Sequence, residues 1–149
     1  MDIEKYLLDL NNTLLKEGNW QKIVLTRQWT SSIPSKAGVY ALKEENELVY
    51  VGETGNLRGR MTDLLDSRHH TVRRSIGKKL FAHQLGFVQA TTKNKFPDSI
   101  EILVNGHICN NLRIAFLPVS LGRKELEEYI EKNIIEEIKL NKRGKRKER

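Results

Sequence analysis

Gly38-Val39-Tyr40-Ala41-Leu42-Lys43, then Leu48-Val49-Tyr50-Val51-Gly52, then Glu53-Thr54-Gly55-Asn56-Leu57-Arg58-Gly59-Arg60, is the stretch from which the fold is read. Two short apolar and aromatic runs flank the polar segment Glu44-Glu45-Asn46-Glu47, the pattern of a β-hairpin with a polar turn. Alternating strand geometry can bring both tyrosines to one region of a small sheet while their neighbours enter the core. Gly52 ends the second strand, and Thr54 or Asn56 can cap a helix that carries Arg58 and Arg60. Two phenols and a guanidinium are therefore expected close together.

The chain has 149 residues, enough for one domain with a substantial core. Its 38% hydrophobic content suits a globular protein, and no run is long enough to span a membrane. Met1 to Leu15 mixes acids, asparagines and leucines at helical spacing and does not read as a charged-then-apolar leader. Cys109 is the single cysteine, which excludes an internal disulfide and a cysteine-rich metal site. A reducing compartment, the cytoplasm, is the expected home. The formal charge of +7 is unevenly placed. Residues 58–79 net +5 through Arg58, Arg60, Arg68, Arg73, Arg74, Lys78 and Lys79 against Asp63 and Asp66, and residues 142–149 also net +5, so the rest of the chain nets −3. Positive charge beside the tyrosine and arginine motif favours a polyanionic partner, bound with release of counterions.

Apolar spacing predicts a first helix over about 2–17, stopped by Gly18. Residues 20–34 suggest an extended segment around Ile23–Leu25. Helices follow over about 56–66 and 71–85, the second ended by Gly86. Residues 87–111, with Pro97, Asn105-Gly106 and Asn110-Asn111, suggest a hairpin insertion with Ile100–Val104 as one strand. Arg113–Val119 reads as a third core strand, and a long helix over about 123–140 carries Leu126, Ile130, Asn133, Ile134 and Ile138 as its stripe, flanked by Glu127 and Glu131.

This ordered set resembles the signature of the GIY-YIG nuclease superfamily: a Gly-x-Tyr strand, a Tyr-x-Gly strand ten residues on, an Asn-Leu pair opening a helix, an arginine ten residues past the second tyrosine, and a later glutamate helix. The resemblance covers about residues 36–141. It implies an α/β (α+β) domain with a small, mostly antiparallel three-stranded sheet flanked by helices, preceded by an N-terminal segment over 1–35 and followed by a basic tail over 142–149.

The resemblance implies a metal-dependent DNA endonuclease with Tyr40, Tyr50, Arg60, His70 and Glu131 as catalytic residues. Glu131, followed by Ile134-Ile135, matches the metal-binding glutamate of the family; Glu127 is the alternative. Leu64 stands where some members have a histidine four residues after the arginine, and Leu140 where a proline is usual before the asparagine that Asn141 matches. Gly52, Arg58, Arg73, Arg74, Lys78 and Asn141 are expected at the nucleic acid, the basic ones as backbone clamps. The chemistry suits these residue types. Mg²⁺ or Mn²⁺ can be held by one carboxylate and waters. Arg60 offers a bidentate fork for phosphate. A phenol with an ordinary pKa near 10 needs help from the arginine or the metal to act as base or nucleophile. DNA, single-stranded or duplex, is preferred over RNA. Any sequence preference has to come from the N-terminal segment, the 87–111 insertion, the tail or the partner in a homodimer. The alternative is a non-catalytic nucleic-acid-binding module on the same fold.

Overall fold

The computed structural model describes residues 2–132 and residue 134. Helix α1 (Ile3–Leu15) opens on Asp2, whose carboxylate accepts from the backbone N–H of Lys5 at 3.2 Å. A short 3-10 turn at Glu17–Asn19 leads to strand β1 (Gln21–Lys22) and helix α2 (Arg27–Ser31). The hairpin follows as β2 (Gly38–Glu44) and β3 (Glu47–Thr54), then α3 (Leu57–Asp63) and α4 (Thr71–Phe81). Helix α5 (Asp98–Asn111), strand β4 (Leu112–Pro118) and helix α6 (Arg123–Lys132) complete the described elements.

The sheet has four antiparallel strands in the order β1-β4-β2-β3. The expected three are present, and the extra one is β1, two residues pairing with β4. Strand alternation splits the side chains of β2 and β3 between two cores. Tyr40, Leu42 and Tyr50 face Leu57, Met61, Leu64, Val72, Ile76, Ile100, Val104 and Ile108 from α3, α4 and α5. Val39, Ala41, Val51 and Ala115 face Leu7, Leu14, Leu126 and Ile130 from α1 and α6. Each fully buried aliphatic side chain contributes about 1.5–3 kcal/mol, so helices on both sides hold β2 at the centre.

Residues 98–111 correct the sequence reading, because they form a helix and not part of a hairpin. Ile100, Val104 and Ile108 are all buried at four-residue spacing, a helical period. Asp98 and Glu101 lie in the first turn, where the helix dipole favours acids. The Asn-Gly and Asn-Asn pairs that suggested turns are carried within this helix. The segment after Trp20 also differs, since its extended part is only Gln21–Lys22 and Arg27–Ser31 is helical. Helix α4 ends at Phe81, well short of Gly86. The predicted end of the last helix at Leu140, the residue Asn141 and the basic tail lie outside the described residues.

Arg73, expected as a phosphate clamp, is a core residue. It is buried on α4, where it pairs with Glu101 on α5. Its Nε donates to the Ser67 hydroxyl at 2.8 Å, that hydroxyl donates to Glu101 at 2.8 Å, and Glu101 also accepts from the backbone N–H of Phe96 at 2.9 Å. A guanidinium so enclosed has no surface to offer a phosphate; it fastens α4 to α5. Replacing Arg73 by Met is expected to cost about 3–5 kcal/mol by leaving the Glu101 charge buried and unpaired. Urea denaturation measures this, and Arg73→Met combined with Glu101→Leu should recover part of the loss.

Candidate active site

Tyr40 lies on β2 between β3 and β4, opposite Gly52 on one side and Phe116 on the other. A Cβ at residue 52 would sit 2.6 Å from both the Cζ and the hydroxyl of Tyr40. Glycine is required there because the phenol occupies the space a side chain would take. Gly38 has a similar reason: its Cβ would lie 2.5 Å from the Leu117 carbonyl oxygen and 2.6 Å from the Leu57 side chain. These two contacts account for the glycines of both short motifs.

Tyr50 pairs with Leu42, which makes it the diagonal neighbour of Tyr40 on the same face. The two ring centroids are 6.0 Å apart, and the His70 ring is 6.1 Å from each. Thus the three rings form a buried triangle. His70 is also the cap of α4, its Nδ1 accepting from the backbone N–H of Val72 at 3.2 Å. Burial, followed by the charges of Arg60, Arg74 and Arg73, holds its pKa well below the usual histidine range. The ring is therefore neutral, and since Nδ1 is an acceptor, Nε2 carries the proton. That Nε2–H donates to the Tyr40 hydroxyl at 3.1 Å.

Burial raises the Tyr40 pKa well above 10, and Tyr50 adds to the rise while Arg60 opposes it. Arg60 projects from α3, which Asn56 caps by accepting from the backbone N–H of Gly59 at 3.1 Å. Its Nη1 donates to Asp63 at 3.1 Å and to the His69 carbonyl at 3.1 Å. Burial pulls the Arg60 pKa down, but Tyr40, Tyr50 and Asp63 outweigh it and the net shift is upward. Tyr40 is thus a protonated phenol, faced by one neutral donor and one permanent cation that would both favour its ionised form.

On the other side of the sheet, α6 packs chiefly along β3. Glu127 and Glu131, one turn apart, are both buried. Glu127 accepts from the backbone N–H of Glu53, next to Gly52, at 3.1 Å. Arg123, at the start of the helix, donates to the Glu53 carboxylate at 2.8 Å. Ile134 packs against both cores, so this end of α6 lies where the two faces of the sheet meet.

Of the residues singled out from sequence, Tyr40, Tyr50, Arg60 and His70 come together around Gly52. Arg58 is exposed, with its Nε donating to the Ile33 carbonyl at 2.8 Å. Arg74 and Lys78 lie along α4, half-buried and exposed respectively. The sequence reading missed Asp63 as the partner of Arg60, although its spacing of three on a helix was a usable signal. The Glu53–Arg123 pair bridges residues 70 apart in sequence and had no local signal. Among the described residues there is no group of three or more His, Cys, Asp or Glu side chains arranged to hold a metal ion. No helix is long and apolar enough to cross a membrane among the described residues.

The buried neutral imidazole has a consequence for stability. Below the unfolded-state pKa of about 6.5 the unfolded chain takes up a proton that folded His70 refuses, so stability should fall as pH drops from 7 to 5, by at most about 1.4 kcal/mol per pH unit for one proton. In His70→Asn, which can still cap α4, this part of the pH dependence should disappear. Urea midpoints of both proteins at pH 7 and pH 5 check it.

The family model described as the GIY-YIG catalytic domain matches residues 6–147. No curated protein matches the chain. Solved structures similar to it include the GIY-YIG N-terminal endonuclease domain of UvrC from Thermotoga maritima bound to magnesium. That likeness has 15% identity and a TM-score of 0.39, and covers 78% of this chain and 94% of that one. A point-mutant form of the same domain, bound to the catalytic divalent cation, has 14% identity and a TM-score of 0.40, with 78% and 93% covered. With the family match spanning nearly the whole length, over the strands, the arginine helix and the glutamate helix described above, this chain belongs to the GIY-YIG catalytic domain family.

Proposed function

We propose that this chain is a divalent-metal-dependent endonuclease that hydrolyses phosphodiester bonds in DNA. One observation carries the reading: a buried phenol, Tyr40, is seated over Gly52 with the Nε2–H of His70 on its hydroxyl and the Arg60 charge beside it. A merely structural tyrosine needs one partner for its hydroxyl, not a donor fixed by a helix cap and a guanidinium. Phosphodiester hydrolysis needs a proton acceptor for water and positive charge where it builds on the phosphoryl oxygens. Tyr40 is assigned the first role as its phenolate, formed when its own proton passes to solvent. Arg60 is assigned the second, presenting its partly exposed fork to the scissile phosphate. His70 stabilises the phenolate as its proton leaves, and Tyr50 orders the attacking water or the phosphate.

Glu131 is the carboxylate assigned to the metal. The donor is oxygen and single, as a hard cation that keeps most of its waters requires. Its place on α6 one turn beyond Glu127 and three residues before Ile134, which packs against both cores, supports that role. Glu127, the alternative, accepts from the β3 backbone at Glu53. When bound, Mg²⁺ or Mn²⁺ would supply Lewis-acid stabilisation of the phosphate and lower the pKa of water. Asn141 and the basic tail are assigned to the DNA backbone, with Arg74 and Lys78.

The reading is tested by cleavage of labelled single-stranded and duplex DNA in Mg²⁺, Mn²⁺ or EDTA. Cleavage should require metal. Tyr40→Phe and Glu131→Ala should each lose about 10²–10⁴-fold in rate while DNA binding changes little. Glu127→Gln should reduce stability more than chemistry. Binding without cutting in every condition would make the chain a non-catalytic nucleic-acid-binding module on this fold.

A further inference from the structure

Between Asp66 and Asp98 the chain has no acidic residue, and seven of the residues from 67 to 97 are Arg or Lys. Arg68 and Arg73 are paired, with Asp66 and Glu101 respectively. Lys78, Lys79, Lys93 and Lys95 are exposed, and Arg74 is half-buried. The run starts at the active site, because His70 caps α4. Helix α4 then carries it away over 11 residues, about 16 Å at the helical rise. A groove of about 400 Å³ without an acidic lining residue follows the same path, from Thr71 through Arg74 to Lys78.

At the far end of α4 stands an apolar tip. Leu80, Leu85 and Val88 are 40%, 99% and 63% exposed within nine residues of chain. The turn between them is fixed by its own backbone. The N–H of Gln84 donates to the Phe81 carbonyl at 3.0 Å, and that of Phe87 to the Gln84 carbonyl at 3.1 Å. Gly86 takes φ +81°, a left-handed conformation that favours glycine. On either side of the tip, Phe81 and Phe87 pack on the core. The rings of Phe87 and Phe96 are 5.8 Å apart, and Phe96 is seated on Gly77 of α4, where a Cβ would overlap its ring. Leu85 is therefore raised on a turn anchored at both ends, with its side chain almost wholly in water.

An isolated exposed leucine needs no explanation. This one ends a cationic, acid-free track that begins at the active site, and the combination selects the partner. A second copy would bring the same lysines against these, since a two-fold interface sets one patch on itself. A duplex suits the tip better, because an aliphatic side chain can enter between base pairs while neighbouring lysines lie on the adjoining phosphates. We propose that Leu85 is a wedge that enters the base stack of duplex DNA roughly five steps from the scissile phosphate, unstacking one step and bending the duplex. Pyrimidine–purine steps, which unstack most easily, should accept it best. The wedge rests on the nuclease reading for its DNA partner and adds the form of the substrate, duplex in preference to single strand; its own test needs no cleavage.

The experiment uses the full chain in EDTA and a twenty-base-pair duplex with a central TA step and a fluorophore at each end, beside an oligothymidine of the same length. Affinity and end-to-end energy transfer are measured together. Wild type is expected to raise the energy transfer of the duplex on binding. In Leu85→Ser, which removes no packing from the fold, that rise should vanish and duplex affinity should fall about 10-fold, the lower end of what burying a leucine contributes because unstacking offsets the rest. Affinity for oligothymidine should stay the same, and Leu85→Met, which keeps an apolar tip, should still bend the duplex. Unchanged energy transfer in Leu85→Ser, an equal loss of affinity for the single strand, or a wild type that binds the duplex without bending it would overturn the wedge. So would a shift from dimer to monomer in the sedimentation of Leu85→Ser, which would make the tip an interface between copies. Failure of the nuclease reading would show itself separately, as intact DNA in Mg²⁺ with the Leu85-dependent bend still present.

Discussion

The close approach of the Tyr40 phenol to the backbone of Gly52 is the contact around which the molecule is arranged. A side chain at residue 52 would occupy the same space as the ring, so Tyr40 can lie against β3 only because residue 52 has none. Once the ring is seated there, its hydroxyl is removed from water and must be partnered by the protein. The partner is His70, and His70 is in turn held by the first turn of α4. Strand pairing, helix capping and the ionisation of the phenol are therefore one linked system.

Charge in this system is divided by depth. Arg73 is spent inside, joining α4 to α5 through Glu101 and Ser67. Arg60 is intermediate, tied to Asp63 and to the 66–70 turn but still partly open to solvent. Arg74 and Lys78 lie outward along α4 without a carboxylate partner among the described residues. The neutral state of His70 follows from this crowding of cations as well as from burial. A protonated imidazole there would add a further positive charge next to three arginines, whereas a neutral one can donate to Tyr40 without cost of that kind.

The two carboxylates of α6 show why helical spacing alone does not assign roles. Glu127 and Glu131 share a flank and are both buried. Glu127 accepts from the backbone N–H of Glu53 on β3, a contact that helical spacing does not announce. Helix α5 illustrates the same limit in another way. Its apolar positions at 100, 104 and 108 have the helical period, yet the turn-forming dipeptides around them argue for a hairpin. Packing against α4 and the sheet decided in favour of the helix, because burying those three aliphatic side chains outweighs weak local preferences.

The amino-acid sequence by itself determined the hairpin, the arginine helix and the pairing of the two tyrosines, because strand alternation and fixed spacings along a continuous stretch set which side chains share a face. It also determined that positive charge would gather near that stretch. Only the tertiary structure decided which arginine is buried and which stays at the surface, since Arg73 and Arg74 are neighbours on one helix and are separated by what packs against each. It decided likewise that His70 donates to Tyr40 and that Arg123 holds Glu53. Each of these depends on contacts between segments far apart in the chain, for which the residues nearby carry no periodic signal.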